Sequence, residues 1–250
     1  MILISGRGTN LQAILRAVAE DGLPLEIRAV ISNRPEAAGL DVARSHGLPH
    51  HALDHAQFTD REAFDRELQN LIDHHAPRLV ILAGFMRILS APFVRHYRGR
   101  LINIHPSLLP AFPGLNTHQR ALAAGVAEHG ASVHFVTEAV DGGPVIVQAR
   151  VPVLSHDTAE TLAARVLAEE HRIYPQALRW FAEGRLQLVT QQNHDVQGRA
   201  PAKGSAPAKG STRVAGGRTP GATDVVVLDG KPLGPSGCQT EDIPPGILPA

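Results

Sequence analysis

The segment Ser5–Asn10 is the first place in this 250-residue sequence where residue types and spacing could do chemistry. Its glycines, Gly6 and Gly8, would let the backbone approach a ligand, and free N–H groups at a following helix start would favour an anion. A plain strand-to-helix turn needs the same glycines, and the segment alone supports both interpretations about equally. It lacks the lysine of a Walker loop, and Leu11 breaks a Gly-x-Gly-x-x-Gly pattern, so a phosphate monoester suits it better than a dinucleotide.

Asn103 and His105 form the second candidate, because residues two apart on a strand point to the same face. An amide donor beside an imidazole could polarise a carbonyl and move a proton. A polar pair that merely ends a strand explains the pattern too, and is slightly favoured on this feature alone. Asp141 is the third candidate. It begins an Asp-Gly-Gly-Pro turn, where aspartate is usually a turn former; the alternative is a carboxylate held against His105.

Glu170 is a subtler signal, because it lies on the apolar stripe of a predicted helix between Val166 and Ile173. A charged group in that position needs a partner. The partner could be an arginine or the hydroxyl groups of a ligand. Among the 14 histidines, His46 and His50 have helical spacing, but Gly47 and Pro49 between them exclude a helical pair. The sequence therefore predicts no metal site.

The elements that must position these residues follow a repeated β–α pattern. Short apolar runs are predicted as strands at 2–4, 27–31, 51–53, 79–83 and 101–104, and helical stretches lie between them. Thr59, with Glu62 three residues later, is predicted to cap the helix that runs to Pro77. Two later strands, 132–137 and 145–153, flank the Asp141 turn and are expected to pair antiparallel. The predicted fold class is α/β, with a doubly wound, mostly parallel sheet and an antiparallel C-terminal portion.

Composition divides the chain near residue 190. Gly and Pro make up 18 of the 60 residues in 191–250, which also contain a repeated Ala-Pro-Ala-Lys-Gly-Ser sequence. We predict a catalytic domain over 1–190 and a mostly disordered tail over 191–250. Val225–Leu228 could form a strand, but no nearby segment offers it an apolar partner.

The charge balance narrows the class of protein. Lys plus Arg and Asp plus Glu each total 24, and the chain has one cysteine, Cys238. A zero net charge disfavours a nucleic-acid partner, and no apolar run approaches the ~20 residues of a membrane span. The apolar segment at the start, Met1–Ile4, is too short for a signal peptide. We expect a cytoplasmic protein, a monomer or weak homodimer, that acts on small molecules.

Five segments together resemble one family. They are Ser-Gly-Arg-Gly-Thr-Asn-Leu-Gln-Ala at 5–13, Leu-Ala-Gly-Phe-Met-Arg-Ile-Leu at 82–89, Asn-Ile-His-Pro-Ser-Leu-Leu-Pro-Ala-Phe-Pro-Gly at 103–114, Gly-Ala-Ser-Val-His-Phe-Val at 130–136, and Asp-Gly-Gly-Pro-Val-Ile at 141–146. Each is weak alone, but in this order they are very specific. The chain resembles the phosphoribosylglycinamide formyltransferases, folate-dependent enzymes of purine synthesis, over roughly residues 2–188.

The resemblance implies roles for these residues. Gly8, Thr9 and Asn10 would hold the phosphate of phosphoribosylglycinamide, and Glu170 its ribose hydroxyls. The pocket for the co-substrate 10-formyltetrahydrofolate would be formed by Arg61, Met86, Arg87, Ile88, Leu89, Asn103 and Val140. Asn103 would bind the formyl oxygen and His105 would be the general acid. Asp141 would favour the protonated ring of His105 and order a water molecule.

Three rival functions share parts of this pattern. A hydrolase that releases formate from the same folate has the Asn-x-His and Asp residues, but typically carries an N-terminal regulatory domain and needs no phosphate loop. A methionyl-tRNA formyltransferase adds a basic C-terminal domain, whereas residues 191–250 have 6 Lys or Arg and 5 Asp or Glu. A non-catalytic binding module would not require Asn103, His105 and Asp141 together.

Overall fold

The computed structural model describes residues 1–192 and 222–242. The strands are β1 Ile2–Ile4, β2 Val30–Ser32, β3 His50–Ala52, β4 Val80–Leu82, β5 Leu101–His105, β6 Glu128–Phe135, β7 Val145–Pro152, β8 Leu186–Gln192, β9 Ala222–Leu228, β10 Lys231–Pro232 and β11 Cys238–Gln239. The helices are α1 Thr9–Ala19, α2 Ala38–Ser45, α3 Arg61–His74, α4 Ala91–His96, α5 Thr117–Ala124 and α6 Ala159–Ala182. Two short 3₁₀ turns cover His55–Gln57 and Thr240–Asp242.

The main sheet has eight strands in the order β11-β7-β6-β5-β4-β1-β2-β3. Strands β3, β2, β1, β4 and β5 are parallel neighbours, whereas β6 pairs antiparallel with both β5 and β7. The predicted α/β class, with a mostly parallel sheet and an antiparallel C-terminal portion, is confirmed. The strand order matters for the site, because it brings the carboxyl ends of β1, β4 and β5 to one rim, where ligands of such sheets bind.

The sheet is covered on both faces, so each central strand is apolar on both sides. In β1, Ile2 and Ile4 belong to a core cluster with residues of α1, α5 and α6. Leu3 points the other way, into a second cluster with residues of α3 and α4. Burying one such large apolar side chain contributes about 1.5–3 kcal/mol, so the rim that carries the polar residues is held by a rigid base.

The segment 222–242 differs from the expectation of a tail without a partner. Strand β9 pairs antiparallel with β8, and Val226 is only 2% exposed, packed with the core cluster that contains α6. Strand β11 adds a parallel edge to β7. The expectation that nothing nearby offers Val225–Leu228 an apolar partner is therefore wrong, since β8 lies next to it. Strand β8 itself extends to Gln192, two residues into the predicted tail, whereas residues 193–221 and 243–250, including the six-residue repeat, lie outside the described residues.

Two local predictions also need correction. Helix α3 is capped by Asp60, not by Thr59: the Asp60 carboxylate accepts a hydrogen bond from Ala63 N at 2.7 Å. Strand β2 begins at Val30, three residues later than expected, because its pairing with β1 covers only Val30–Ser32. Across the two described ranges, no helix is both long and apolar enough to cross a membrane.

Candidate active site

The glycine segment 5–10 leads from β1 into α1 at the rim of the sheet. Gly8 has a φ of +75°, a conformation that favours glycine, and a Cβ there would lie 2.9 Å from the Cα of Gly39. Gly39 N donates to Gly6 O at 3.0 Å, which holds the segment against α2. No side chain caps α1, so its first N–H groups and its positive dipole end are available to an anion.

Glu170 has its partner in this same segment. Its Oε2 accepts a hydrogen bond from Asn10 Nδ2 at 2.7 Å, across 160 residues of sequence. The Glu170 residue is 8% exposed, and burial raises the pKa of its carboxyl group. The partner is therefore an amide, not an arginine. The pair places a carboxyl group and an amide beside the uncapped start of α1.

Asn103 and His105 lie on β5, and the antiparallel partner β6 adds a histidine that the sequence analysis did not single out. Asn103 pairs with His134 in register, and Asn103 Nδ2 lies 3.2 Å from His134 Nε2. His134 Nδ1 is 3.0 Å from Phe135 O, where it donates, so Nε2 carries the lone pair that accepts from Asn103. Burial lowers the pKa of His134, which keeps this neutral form.

His105 sits between two oxygen acceptors. Its Nε2 is 3.0 Å from Phe112 O, and its Nδ1 is 3.5 Å from Asp141 Oδ2. Each ring nitrogen therefore faces an oxygen atom that can only accept a hydrogen bond. Asp141 is 3.7 Å from His134 through its other oxygen, so one carboxylate faces both imidazoles. The arrangement provides a proton donor beside an amide donor.

Asp141 is held in place by the backbone around it. It has a φ of +50°, and its Oδ2 accepts a hydrogen bond from Gly114 N at 2.8 Å. Gly143 must be a glycine, because a Cβ there would come within 1.7 Å of Phe135 O. The close approach of the turn to β6 is therefore what carries the carboxylate to His105.

The loop after His105 is fixed from below by a buried polar network. Ser132 Oγ accepts from Leu109 N at 3.0 Å and donates to Ser107 O at 2.6 Å. Gln148 Nε2 donates to both Ser132 Oγ and Leu109 O at 2.8 Å. Fully satisfied buried networks of this kind rigidify the backbone. The network holds the loop that offers Phe112 O to His105 and Gly114 N to Asp141.

Four of the residues predicted for the folate pocket follow β4 on the same rim: Met86, Arg87, Ile88 and Leu89. Met86 and Ile88 are 65% and 55% exposed, and Val140, beside Asp141, is also exposed. Apolar side chains this open next to polar groups are typical of a ligand surface. Arg87 lies over the Phe64 ring at 4.7 Å, so the first turns of α3, which begin at Arg61, support this segment.

The structure thus brings Asn103, His105 and Asp141 together and places Gly8, Thr9, Asn10 and Glu170 in a second group. Strands β1 and β5 are separated only by β4, so their ends are about 10 Å apart, two strand spacings. The sequence analysis missed His134, which contacts Asn103 and faces Asp141. A strand position just before the Asp141 turn was the available signal for His134. Among the described residues, no three or more His, Cys, Asp or Glu side chains form a group that could hold a metal.

Three comparisons with known proteins point to one family. The model of the formyl transferase family matches residues 1–178. A phosphoribosylglycinamide formyltransferase of Escherichia coli (strain K12) is 55% identical over 188 residues, which are 75% of this chain and 89% of that protein. The trifunctional purine biosynthetic protein adenosine-3 of Bos taurus is 47% identical over 187 residues, 75% of this chain but 18% of that protein. A solved phosphoribosylglycinamide formyltransferase structure from Coxiella burnetii has a TM-score of 0.78 and 50% identity, covering 95% of this chain and 96% of that one.

Proposed function

Because the chain belongs to the formyl transferase family, we propose that it is a phosphoribosylglycinamide formyltransferase. It transfers the formyl group of 10-formyltetrahydrofolate to the amine of 5-phosphoribosylglycinamide, a step of purine biosynthesis. The observation that carries the proposal is the meeting of Asn103, His105 and Asp141 on the rim that also holds the uncapped start of α1. The uncapped start of α1 suits a phosphate, and the group of three side chains suits acyl transfer.

The ribonucleotide is bound at the α1 end. Gly8, Thr9 and Asn10 supply backbone N–H groups to the phosphate, and the α1 dipole adds a favourable field. Glu170, held by Asn10, accepts hydrogen bonds from ribose hydroxyls. A separation of about 10 Å between the ends of β1 and β5 lets a phosphorylated ribose reach the other group with its amine.

The transfer takes place at the β5 end. The amine attacks the formyl carbon, while Asn103 donates its second N–H to the formyl oxygen. His105 exchanges its contact with Phe112 O for the developing oxyanion, to which its Nε2–H donates. The new carbon–nitrogen bond forms as the bond from the formyl carbon to folate nitrogen breaks. The amine loses one proton and the departing nitrogen gains one, with Asp141 and a water molecule as the relay. No covalent enzyme intermediate is required.

The folate occupies the exposed apolar segment after β4. Met86, Arg87, Ile88 and Leu89 contact its pterin ring, with Val140 and Arg61 at the edges of the pocket. Holding both substrates in reactive alignment supplies much of the acceleration, because it turns a bimolecular step into an effectively unimolecular one. We further propose that the protein acts in the cytoplasm, without a nucleic-acid, membrane or metal partner, as a monomer or weak homodimer.

One assay separates this function from its rivals. Purified protein is mixed with 10-formyltetrahydrofolate, with and without phosphoribosylglycinamide, and both deformylated folate and formylated product are measured. Formyl loss only with the ribonucleotide, matched by product, supports the transferase. Loss without it would indicate the hydrolase, and no loss in either mixture would indicate a binding module.

A further inference from the structure

Ser5 joins the two substrate segments through a chain of two hydrogen bonds. Met86 N donates to Ser5 Oγ at 2.7 Å, and Ser5 Oγ donates to Asn33 Oδ1. These residues follow three neighbouring parallel strands, β4, β1 and β2. Ser5 and Asn33 are 5% and 2% exposed, so solvent competes little for the hydrogen bond between these two side chains. Ser5 begins the glycine segment, and Met86 begins the folate-facing segment.

Asn33 is fixed independently of either substrate segment. His55 Nδ1 lies 2.8 Å from Asn33 O, where it donates, and Ser32 Oγ lies 3.0 Å from Arg34 N, which donates to it. The acceptor for the Ser5 hydroxyl therefore belongs to a stable turn after β2. Because the Ser5 hydroxyl donates its hydrogen bond to Asn33 Oδ1, the lone pairs of Ser5 Oγ are free to accept one from Met86 N. The hydroxyl is oriented, not merely buried.

The far end of the folate-facing segment has a second anchor, which does not touch the glycine segment. Ser90 N donates to Asp65 Oδ2, and Asp65, on α3, is 2% exposed. Both anchors hold the backbone of 86–90. Only the Ser5 anchor connects it to the segment that receives the phosphate, so the two anchors form a matched pair for experiment.

We propose that Ser5 is a positioning residue that couples binding at the two substrate sites. Phosphate bound across Gly8–Asn10 orders the segment that begins at Ser5. The Ser5 hydroxyl then holds Met86 N, and with it the backbone of the folate-facing segment 86–90. Folate bound against Met86 orders the phosphate segment in return, because coupling between two sites is reciprocal. This inference rests on the proposed function, since it takes the two ligands from it.

The test measures affinity of the full-length protein for 5,8-dideazafolate, which has no formyl group to transfer, by calorimetry with and without saturating phosphoribosylglycinamide. In the native protein we expect the ribonucleotide to tighten binding by about 3–10-fold, the scale of one buried hydrogen bond. In Ser5→Ala this factor should fall to about 1, and Ser5→Thr, which keeps a hydroxyl, should restore part of it. In Asp65→Ala, which removes the acceptor of Ser90 N, the affinity should fall with and without the ribonucleotide, and the factor should stay native.

The outcomes distinguish this inference from the proposed function. If native protein binds both ligands without coupling, or Ser5→Ala weakens folate binding but keeps the native factor, Ser5 is only a structural residue and the inference fails alone. If Asp65→Ala abolishes the factor as fully as Ser5→Ala does, the coupling is a general property of the loop and Ser5 has no special role. If the native protein binds neither ligand, both the inference and the proposed function are overturned.

Discussion

The two ends of the candidate site are built in different ways. At the α1 end, the groups proposed to face a ligand are mainly backbone N–H groups, and they come from three consecutive residues at the start of α1: Gly8, Thr9 and Asn10. At the β5 end, the groups are side chains from three separate places: β5, β6 and the turn before β7. Among the groups assigned to the α1 end, only Glu170, on α6, comes from a distant part of the sequence.

This difference separates binding from chemistry. A site made of backbone and a helix dipole holds an anion without needing particular side chains. A site that moves protons needs side chains of defined protonation state at defined distances, and here they hold one another. Side-chain substitutions at the β5 end should therefore lower turnover, and those at the α1 end should raise KM for the ribonucleotide.

The strongest test of this separation is removal of the β5 side chains. We expect His105→Ala or Asp141→Asn to lower kcat by about 10²–10⁴-fold, the usual scale of general acid–base catalysis, with KM for both substrates within a few-fold of native. Steady-state kinetics with each substrate varied in turn measures both constants. The partly exposed His96, on α4 beside Asp73, provides the control, and His96→Ala should keep native turnover. Substantial activity in a variant that carries both His105→Ala and Asp141→Asn would overturn the roles assigned here.

At the α1 end, the corresponding change is Glu170→Ala. Loss of hydrogen bonds to a charged group costs about 1.5–3 kcal/mol, so KM for the ribonucleotide should rise about 10–100-fold with kcat nearly native. Glu169→Ala is the matched control, because its neighbouring carboxylate pairs with Arg172 instead. Equal effects of the two substitutions, or a fall confined to kcat, would contradict a ribose-binding role.

Local pattern was enough to predict the turn at the α1 end, although not its ligand, and it could not predict which side chains meet at the β5 end. Glycines at Gly6 and Gly8 between a strand and a helix indicate a turn whose N–H groups are free, and that prediction depends on adjacent residues only. The partner of Asn103 is His134, which is brought opposite by antiparallel pairing across 31 residues, and no local spacing encodes it.

The C-terminal segment shows the same limit for packing. Val225–Leu228 is readable as a strand, yet its partner β8 is separated from it in sequence by a stretch rich in glycine and proline. Composition indicates whether a segment can form a folded structure by itself. It does not reveal that an edge strand elsewhere in the fold offers both hydrogen bonds and apolar surface.

Buried histidines near the β5 end should also make stability depend on pH. Burial, followed by the nearby His118 and His105, lowers the pKa of His129 to about 4, against about 6.5 in an unfolded chain. Between these pH values His129 is protonated in the unfolded chain but stays neutral in the folded protein. The free energy of unfolding therefore falls as the pH drops from about 6.5 to about 4. Replacing His129 by Leu should remove about 2 kcal/mol of the loss seen between pH 7 and pH 5.

Urea unfolding at several pH values measures this difference. His46→Leu, at an exposed histidine, is the control and should leave the pH dependence unchanged. If His129→Leu and the native protein lose stability in parallel as the pH falls, His129 is not the group responsible.

The smallest expected effect, and the one that probes the β5 end most finely, is at His134. In His134→Phe the Asn103 amide loses the acceptor that aims it, so kcat should fall about 3–10-fold, the scale of one hydrogen bond, with KM for both substrates unchanged. His134→Gln keeps an acceptor and should recover part of the loss. Combined with Asn103→Ala, the His134 substitution should add almost nothing, because residues that act through one bond are not additive. Full additivity would show that His134 acts on the reaction without Asn103, which would require a direct role for its ring opposite Asp141.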